Sequence, residues 1–292
     1  MTAVPPVSVI VPAHNAADAI GEQLAALAGQ DHDGPWEVVV VDDGSTDGTA
    51  AVVASWIGRV PGLRLLDGGA RSGGAVARNV GARAAGGALL LYCDADDVVA
   101  PGWVAAMAAG AAASDAELFG GYVDGDRLNG PSAARRRRPY PVDRLPLRLD
   151  FLPYATSANF GILAATLSTL GGWDERYARG GDAELCWRAQ LAGRTLRYLP
   201  DAVVHYRYRA SLPASMRQQF AWGQADPQLR RDFRDAGFER RPWPRVAASL
   251  ALVVLSAPKL AAGPAHRSAW LRRTALLAGR GVGSARHRCL YL

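Results

Sequence analysis

The sequence predicts an α/β protein with a mainly parallel sheet, helices on both faces of that sheet, and a helical region at the C-terminal end. Three observations indicate this class. In the first half of the chain, short β-branched runs alternate with segments of helical spacing. Acidic clusters directly follow two of the predicted strands. The chain has 292 residues, 49% hydrophobic and 21% charged, which is enough for a buried core.

The first predicted unit is a strand followed by a helix. The strand is VSVIVPA, residues 7–13, a β-branched run that ends at a proline. The helix is predicted over residues 16–30, in which Ile20, Leu24 and Leu27 fall on one face. This face is expected to pack on the sheet.

The second unit begins with an all-valine strand that ends in two carboxylates, Asp42 and Asp43. Four consecutive valines are typical of a strand buried on both faces. The turn GSTDGT follows, and we expect Ser45 or Thr46 to cap the next helix.

The third and fourth strands are predicted at LRLLDGG and ALLLYC, with a small-residue helix, GGAVARNVGARAAGG, between them. Three carboxylates, Asp94, Asp96 and Asp97, follow the fourth strand. Like charges this close are costly unless a cation neutralises them. Ligands of open α/β sheets bind at the carboxyl ends of the strands, so both acidic clusters lie at the expected binding edge. They predict a site for a cation and a polyol.

The pattern is less regular after residue 134. RRRRPYPVDRLPLR, residues 135–148, predicts a basic loop. A helix is expected from about Ala183 to Leu191, with a closing strand near TLRYLP. From about Ser211 the chain is predicted to be helical, and its apolar run VAASLALVVLSA, residues 246–257, is too short to span a bilayer.

The net charge of +6 is unevenly distributed, because no acidic residue follows Glu239 whereas arginines recur as far as Arg288. This favours an anionic neighbour such as a membrane surface. Two interpretations remain open. The C-terminal helices either form an interfacial pair on anionic lipid or pack as a cap or dimer contact. The first uses a stripe of Trp270, Leu271, Thr274 and Leu277, with Arg272, Arg273 and Arg280 beside it.

The compartment is predicted from the cysteines and the N-terminus. Cys93, Cys186 and Cys289 show no metal-type spacing, which favours a reducing compartment. The N-terminal residues lack the basic region of a signal peptide. We therefore expect a cytoplasmic protein. If the basic helices form the interfacial pair, they would make a peripheral contact on the inner face of the cell membrane.

Five segments, spread in order over roughly residues 7–205, resemble family 2 glycosyltransferases: VSVIVPAHN, VVVVDDGSTDGT, GGAVARNVGARAAGGALLLYCDADD, GGWDERY and GGDAELCWRAQLAG. The resemblance implies a GT-A fold, a Rossmann-like mixed sheet flanked by helices. It implies a catalytic domain over residues 1–210, with a nucleotide-sugar-binding half (1–97) and an acceptor-binding half (98–210). Residues 211–292 would form a basic helical extension.

The resemblance also implies a reaction. An inverting transferase of this type moves one sugar from a UDP-, GDP- or dTDP-linked donor to an acceptor hydroxyl, with Mg²⁺ or Mn²⁺ as cofactor. We expect a role in cell-envelope polysaccharide, glycolipid or secondary-metabolite glycosylation, with an acceptor that is lipid-linked or otherwise membrane-borne. The segment QQFAW lacks the arginine of the Gln-x-x-Arg-Trp box of processive synthases, which favours transfer of a single sugar.

By similarity, Asp94-x-Asp96 corresponds to the DxD motif of the family. Asp96 would ligate the metal, Asp94 would reach the ribose or the metal, and Asp97 would support them. Arg78 would lie toward the diphosphate, unless it forms an ion pair on the helix surface. His205 is a further candidate metal ligand, with a structural role at a strand end as its alternative.

The donor base would bind at the ends of the first two strands. Pro12 and Ala13 would offer backbone groups, and His14 would stack on the base or cap the loop. Asp43 would accept a hydrogen bond from a base N–H, with Asp42 beside it.

The resemblance places the general base at Asp182, where a helix begins and its dipole favours negative charge. The glutamate that often precedes this aspartate in the family is replaced by Gly181, which leaves acceptor binding in doubt. Trp173 and Asp174 would border the acceptor, or Trp173 would be buried in a core turn. Glu184 would contribute to acceptor binding or serve as a first-turn helix charge.

Other classes fit less well. A sugar-1-phosphate nucleotidyltransferase would need a glycine-rich loop with arginine and lysine, which VPAHNAADAIG lacks. No GxGxxG follows the first strand, which disfavours an NAD enzyme. A nucleic-acid partner is not expected, because the acidic edge of the sheet would repel phosphate. A non-catalytic protein that binds nucleotide sugars remains an alternative.

Overall fold

The structure is a computed structural model that describes residues 5–130, 140–239 and 242–292. The described chain forms two compact units that divide between Arg207 and Tyr208. We call them the sheet unit (5–130 and 140–207) and the helical unit (208–239 and 242–292). The basic loop predicted at 135–148 lies partly outside the described residues. The functional halves expected within residues 1–210 stay a prediction.

Within the described residues, the sheet unit is built on one mixed sheet of eight strands. Along the sheet their order is β3-β2-β1-β4-β7-β6-β8-β5. Strands β3, β2, β1 and β4 are parallel, β7 runs antiparallel to both β4 and β6, β8 is parallel to β6, and β5 is antiparallel to β8. The expected mixed α/β sheet is confirmed. The strands are β1 (Val7–Ala13), β2 (Trp36–Asp42), β3 (Arg64–Asp67), β4 (Leu89–Tyr92), β5 (Val98–Val99), β6 (Leu118–Asp124), β7 (Phe160–Leu163) and β8 (Leu196–His205).

Helices flank this sheet and make up the helical unit. Those of the sheet unit are α1 (Ile20–Ala28), α2 (Thr49–Ala54), α3 (Gly74–Ala84), α4 (Trp103–Ala112), α5 (Ala164–Thr169) and α6 (Gly181–Leu191). Those of the helical unit are α7 (Leu212–Phe233), α8 (Trp243–Ser256) and α9 (Pro264–His287), with 3-10 turns at Arg234–Ala236 and Ala257–Ala262.

Strand β1 shows how the sequence forms a core on both sides of the sheet. Successive side chains of a strand point to opposite faces. Val9 and Val11 therefore join the cluster that contains Leu24, whereas Ile10 joins the cluster that contains Phe160. Both clusters are buried, so the strand is apolar on both faces apart from Ser8.

The expected cap of α2 is wrong. The helix begins at Thr49 and has no side-chain cap. Ser45 and Thr46 instead bond to the loop after β1, since Ser45 Oγ accepts the N–H of Asn15 at 2.9 Å and Thr46 N–H donates to Asn15 Oδ1 at 2.8 Å. Asp47 Oδ1 accepts the N–H of Thr49 at 2.9 Å. The turn thus ties β1 to β2.

Strand β6 has no counterpart in the sequence analysis, because its two adjacent glycines disguise it. Gly121 is required by packing: a Cβ there would lie 1.9 Å from the carbonyl oxygen of Ala202 and 2.4 Å from Nδ2 of Asn159. The glycine that weakens the strand signal is the residue that lets β6 approach its neighbour.

The helical unit is held together by close packing of α7 and α9. A Cβ at Gly223 would lie 2.2 Å from the carbonyl of Leu276, and Arg280 forms a buried ion pair with Asp226 at 2.8 Å. Arg280 therefore faces the core of this unit, and its expected place at the side of an exposed apolar stripe is wrong. No helix in the described part of the chain is both long enough and apolar enough to cross a bilayer.

Candidate active site

The carboxylates of Asp94, Asp96 and Asp97 lie together directly after β4. Their nearest oxygens are within 4.8 Å of one another, and among the described residues they are the one such group that could hold a metal ion. Asp94 and Asp96 are half-buried and Asp97 is buried. We call residues Asp94–Asp97 the acidic turn. Its oxygens are the hard ligands that Mg²⁺ and Mn²⁺ prefer.

Gln23, a buried residue of α1, bonds to the backbone on both sides of the acidic turn. Its Nε2 donates to the carbonyl of Asp94 at 3.2 Å, and its Oε1 accepts the N–H of Val99 at 2.9 Å. The sequence analysis missed this residue. A signal was present, because Gln23 interrupts the apolar face of α1 between Ile20 and Leu27, and a polar side chain buried there must find partners.

Arg207, the last residue of the sheet unit, also bonds to the acidic turn. Its backbone N–H donates to Asp97 Oδ1 at 2.7 Å, and its Nε donates to the carbonyl of Asp96 at 2.9 Å. The guanidinium also pairs with Glu22 at 2.8 Å. This residue was also missed, since no local pattern shows that a residue so distant in sequence reaches the turn.

Arg78 places a positive charge on the acidic turn. Its Nη2 donates to Asp94 Oδ1 at 3.0 Å and to Ser157 Oγ at 2.9 Å, and its guanidinium carbon lies 5.1 Å from the ring centre of Trp173. The Nε of Arg78 is buried without a hydrogen-bond partner in the described part of the chain. The ion pair expected as an alternative therefore exists, and its partner is the acidic turn itself.

The ends of β1 and β2 lie side by side, as the sequence predicts. Ala13 is in register with Asp42, and Pro12 precedes it. The Nδ1 of His14 lies 2.8 Å from the carbonyl oxygen of Asp43, a hydrogen bond in the tautomer that has a proton on Nδ1. His14 thus links the two loops. Stacking of its ring on a base stays a prediction.

The carboxylates of Asp42 and Asp43 bond to backbone amides. Asp43 is buried, and its two oxygens accept N–H groups from Ser72 at 2.7 Å and Gly73 at 3.0 Å, just before α3. Asp42 accepts the N–H of Ser45 at 3.0 Å. Asp43 therefore fixes the start of the helix that contains Arg78. A bond from Asp43 to a base stays a prediction and needs a remaining lone pair.

Asp182 lies in the first turn of α6, with its Oδ1 accepting the N–H of Ala183 at 2.9 Å. Burial raises the pKa of the Tyr140 hydroxyl well above its usual value, with smaller contributions from neighbouring groups that include Asp182 and Asp97.

Trp173 is a core residue, which matches the alternative interpretation of a buried turn. Its side chain is 2% exposed and meets the rings of Tyr92 and Phe160 edge-on, with centroids 5.2 and 5.6 Å away. Asn79 binds its backbone on both sides, through Oδ1 to the N–H and through Nδ2 to the carbonyl, each at 2.9 Å. Trp173 therefore packs behind Arg78.

Asp174 is used by its own loop. Arg176 donates to it from Nε and from Nη2, the latter at 2.6 Å, and from its backbone N–H at 3.0 Å. These bonds lower the pKa of the Asp174 carboxyl below its usual value.

Glu184 is buried and paired with Arg188, whose Nε lies 2.7 Å from Glu184 Oε1. Burial raises the pKa of the Glu184 carboxyl, and the hydrogen bond from Arg188 partly opposes that shift. Arg188 also donates to the carbonyls of Leu170 and Gly172. The pair thus clamps the loop that precedes Trp173.

The three residues predicted to bind the acceptor share one cavity of about 780 Å³. Trp173, Asp174 and Glu184 line it together with Arg83 and Arg188. The described residues that line it include neither Asp182 nor any residue of the acidic turn. The structure therefore brings these three together, but in a cavity whose lining is separate from the carboxylates.

His205 occupies both ring nitrogens with protein partners. Its Nδ1 lies 2.7 Å from Asp124 Oδ2, and its Nε2 lies 3.1 Å from Arg127 Nη1. The ring is buried at the end of β8. This arrangement fits the structural role. Metal binding by His205 stays a prediction that would require the ring to exchange a partner.

The sequence that forms this site matches a known protein family. Residues 8–169 match the family described as Glycosyl transferase family 2. The chain belongs to that family. The family residues span β1 to α5 and so contain the acidic turn, Arg78 and the loops after β1 and β2.

Among curated members of the family, the chain is 28% identical over 200 residues to glycosyltransferase AglE of Haloferax volcanii, an alignment that covers 68% of this chain and 66% of AglE. It is 29% identical over 233 residues to the pre-mycofactocin glycosyltransferase of Mycobacterium tuberculosis, covering 76% of this chain and 47% of the relative. The alignments thus span about two thirds and about half the length of these relatives.

Solved structures confirm the GT-A fold. The mannosyltransferase PcManGT of Pyrobaculum calidifontis, solved with GDP-Man and Mn²⁺, superposes with a TM-score of 0.66 at 21% identity, covering 98% of this chain and 88% of that one. TarS 1-349 of S. aureus, solved with UDP, gives a TM-score of 0.58 at 22% identity, covering 97% and 92%.

Proposed function

We propose that this family 2 protein transfers a single sugar from a nucleotide-diphosphate sugar to an acceptor hydroxyl, with inversion at the anomeric carbon. The observation that carries the proposal is the acidic turn, three carboxylates within 4.8 Å at the carboxyl edge of the parallel strands. Ligands of such sheets bind at this edge. Membership of the family, and solved structures of similar fold with bound GDP-Man, UDP or UDP-GlcNAc, support the same chemistry.

A divalent cation suits this donor set, because several carboxylate oxygens lie within reach of one centre. When bound, Mg²⁺ or Mn²⁺ acts as a Lewis acid that stabilises the charge of the leaving diphosphate. Asp96 would hold the ion and Asp94 would hold it or the ribose. Asp97, fixed by the backbone of Arg207, keeps the turn in shape.

Arg78 would bind the diphosphate. It already contacts the carboxylate of Asp94, so its charge is at the edge where phosphate oxygens would lie. Its buried, unpartnered Nε provides a further donor. Arginine suits phosphate because its planar guanidinium can donate two parallel hydrogen bonds.

The donor nucleotide would bind at the loops after β1 and β2, with Pro12, Ala13 and His14 on one side and Asp42 and Asp43 on the other. PcManGT was solved with GDP-Man and TarS with UDP and with UDP-GlcNAc. These ligands support a nucleotide-diphosphate sugar as the donor class for this chain.

Asp182 would act as the general base. It would take the proton of the acceptor hydroxyl while that oxygen forms a bond to the anomeric carbon and the bond from that carbon to the diphosphate oxygen breaks. Attack opposite to the leaving group inverts the anomeric centre.

The acceptor would bind beside Asp182. We assign Trp173, Asp174 and Glu184 to the shape of the neighbouring loop, because the backbone of Trp173 is bonded to Asn79 and the carboxylates of Asp174 and Glu184 are bonded to Arg176 and Arg188. We propose that this hydroxyl acceptor is membrane-borne.

A thermal-shift panel of UDP-, GDP- and dTDP-sugars, each with and without Mn²⁺, tests the proposal. One nucleotide class should raise the melting temperature, and the rise should require the metal. A ligand at about 100 times its dissociation constant stabilises by about 2.7 kcal/mol. The proposal is contradicted if no nucleotide sugar changes the melting temperature, or if the change is the same with and without Mn²⁺. Pyrophosphate release from a nucleoside triphosphate and a sugar 1-phosphate would instead indicate a nucleotidyltransferase.

A further inference from the structure

Helix α8 exposes apolar side chains along most of its length. Its sequence is WPRVAASLALVVLS, in which Arg245 is the one charged residue. Trp243 is 68% exposed, Val254 70% and Leu255 75%, and Leu250 and Leu252 are also exposed. Large apolar side chains exposed together on one helix mark an interaction site in a folded protein.

The neighbouring helices of the unit do not share this property. Helix α9 packs on α7 at Gly223 and Gly279, where a Cβ would collide with the facing backbone, and it buries the pair of Arg280 with Asp226. Trp270, predicted to face lipid, is half-buried and donates its indole N–H to the carbonyl of Val253 at 2.8 Å. The apolar contact surface is thus on α8, supported by α9.

Helix α8 and the helix that supports it have exposed positive charges and no acidic residue. No acidic residue follows Glu239 in the sequence. Arg245 on α8 and Arg267 and Arg273 on α9 are exposed. Apolar side chains beside cationic ones match the boundary of an anionic bilayer, where the first enter the acyl region and the second meet lipid headgroups.

The length of α8 decides between lying on a membrane and crossing it. Its 14 residues extend about 21 Å at 1.5 Å per residue, whereas the hydrocarbon core of a bilayer is about 30 Å thick. Trp243 at its N-terminal end is of the type that favours the membrane interface. We infer that α8 is a docking element that inserts shallowly into the surface of an anionic lipid bilayer.

A second copy of the chain is a poorer occupant. Two α8 helices packed together would bring two regions without acidic residues against each other, and like charges across an interface oppose association. An anionic lipid surface removes that repulsion. The docking element is independent of the proposed sugar transfer, although it would hold the protein beside a membrane-borne acceptor.

Co-sedimentation of the full chain with vesicles tests this inference. The protein should bind vesicles that contain phosphatidylglycerol, bind pure phosphatidylcholine weakly, and lose binding as salt is raised. Replacing Val254→Glu and Leu255→Glu together should weaken binding at least about tenfold. The matched control, Ile57→Glu with Val142→Glu, changes two exposed apolar residues of the sheet unit, 55% and 67% exposed, and should bind as the unchanged protein does.

Other outcomes overturn the inference. Undiminished binding by the Val254→Glu, Leu255→Glu variant would do so, as would equal binding to neutral and anionic vesicles. A dimer seen by sedimentation velocity that this variant dissociates, with no vesicle binding, would assign α8 to a second copy. Trp243→Glu provides an independent variant, and unchanged melting temperatures would show that both variants fold. These readouts need no transferase activity, so they fail separately from the proposed function.

Discussion

The acidic turn after β4 and the loop before α6 were both predicted as parts of the site, yet they use their polar residues differently. In the loop, the backbone of Trp173 is bonded to Asn79 and the carboxylate of Asp174 to Arg176. In the acidic turn, Gln23 and the Arg207 side chain bind the carbonyls of Asp94 and Asp96 and not their carboxylates. The turn is thus bonded partly through its backbone carbonyls and partly through the carboxylates of Asp94 and Asp97, which contact Arg78 and the N–H of Arg207. In the loop, the carboxylate of Asp174 accepts bonds from the backbone and the side chain of one neighbouring residue, Arg176.

This difference indicates which residues perform chemistry and which maintain shape. A polar group bonded inside the fold can bind a ligand only by losing its partner, and a buried group left without one costs about 1 to 3 kcal/mol. Changes at Asp96 and Asp182, the proposed metal ligand and general base, should therefore reduce activity more than stability. Changes in the loop should reduce stability first.

The largest expected effect is on turnover. Asp182→Asn removes the proposed base and should lower the rate of sugar transfer about 10²- to 10⁴-fold, because a positioned base contributes that much. Metal-dependent binding of the nucleotide should be unchanged. Product analysis by chromatography measures the rate, and Asp201→Asn, an exposed aspartate on β8, is the matched control. Full turnover by Asp182→Asn would show that Asp182 is not the general base.

The next effect is on stability. Arg188→Ala leaves Glu184 buried without its cation and frees the carbonyls of Leu170 and Gly172. The free energy of unfolding should fall by about 3 kcal/mol, the range found for broken buried pairs. Urea titration measures it. Arg83→Ala, an exposed arginine lining the same cavity, should change stability by less than about 0.5 kcal/mol. Equal effects of the two variants would show that the clamp is unimportant.

A smaller effect should depend on pH. The hydrogen bonds from Arg176 lower the folded pKa of Asp174, so its contribution is present above the unfolded pKa and is lost as pH falls through the folded one. Asp174→Asn should cost about 1 kcal/mol at neutral pH. The difference from the unchanged protein should shrink below about pH 4. Urea titrations at both pH values test this, and a difference that is constant with pH contradicts it.

Much of the sheet could be predicted because its signals are local. Runs such as EVVVV and ALLLYC specify buried strands, and the carboxylates that follow them lie at one edge because the strands are parallel. Strand β6 escaped because Gly121 serves an approach to Ala202, a contact that no local pattern shows.

The site was predictable where a motif names its residues and not where distant residues support them. The acidic turn and Arg78 could be found from the sequence. Arg207 could not, because it contacts Asp96 and Asp97 although it lies 110 residues after Asp97 in the sequence. For Trp173 the motif left two interpretations open, and its burial follows from the rings of Tyr92 and Phe160, which lie outside that motif. Pattern shows residue type and spacing, whereas burial depends on what packs around the residue.

The central claim is that the acidic turn holds a divalent cation together with the donor's diphosphate. Electron paramagnetic resonance of Mn²⁺ measures this directly, because the signal of the free ion falls when the protein binds it. Addition of the preferred nucleotide diphosphate should increase the bound fraction. Asp96→Asn should abolish that increase, whereas Asp67→Asn, an exposed carboxylate at the end of β3, should retain it. A nucleotide-dependent increase in bound Mn²⁺ that persists in Asp96→Asn would contradict the account.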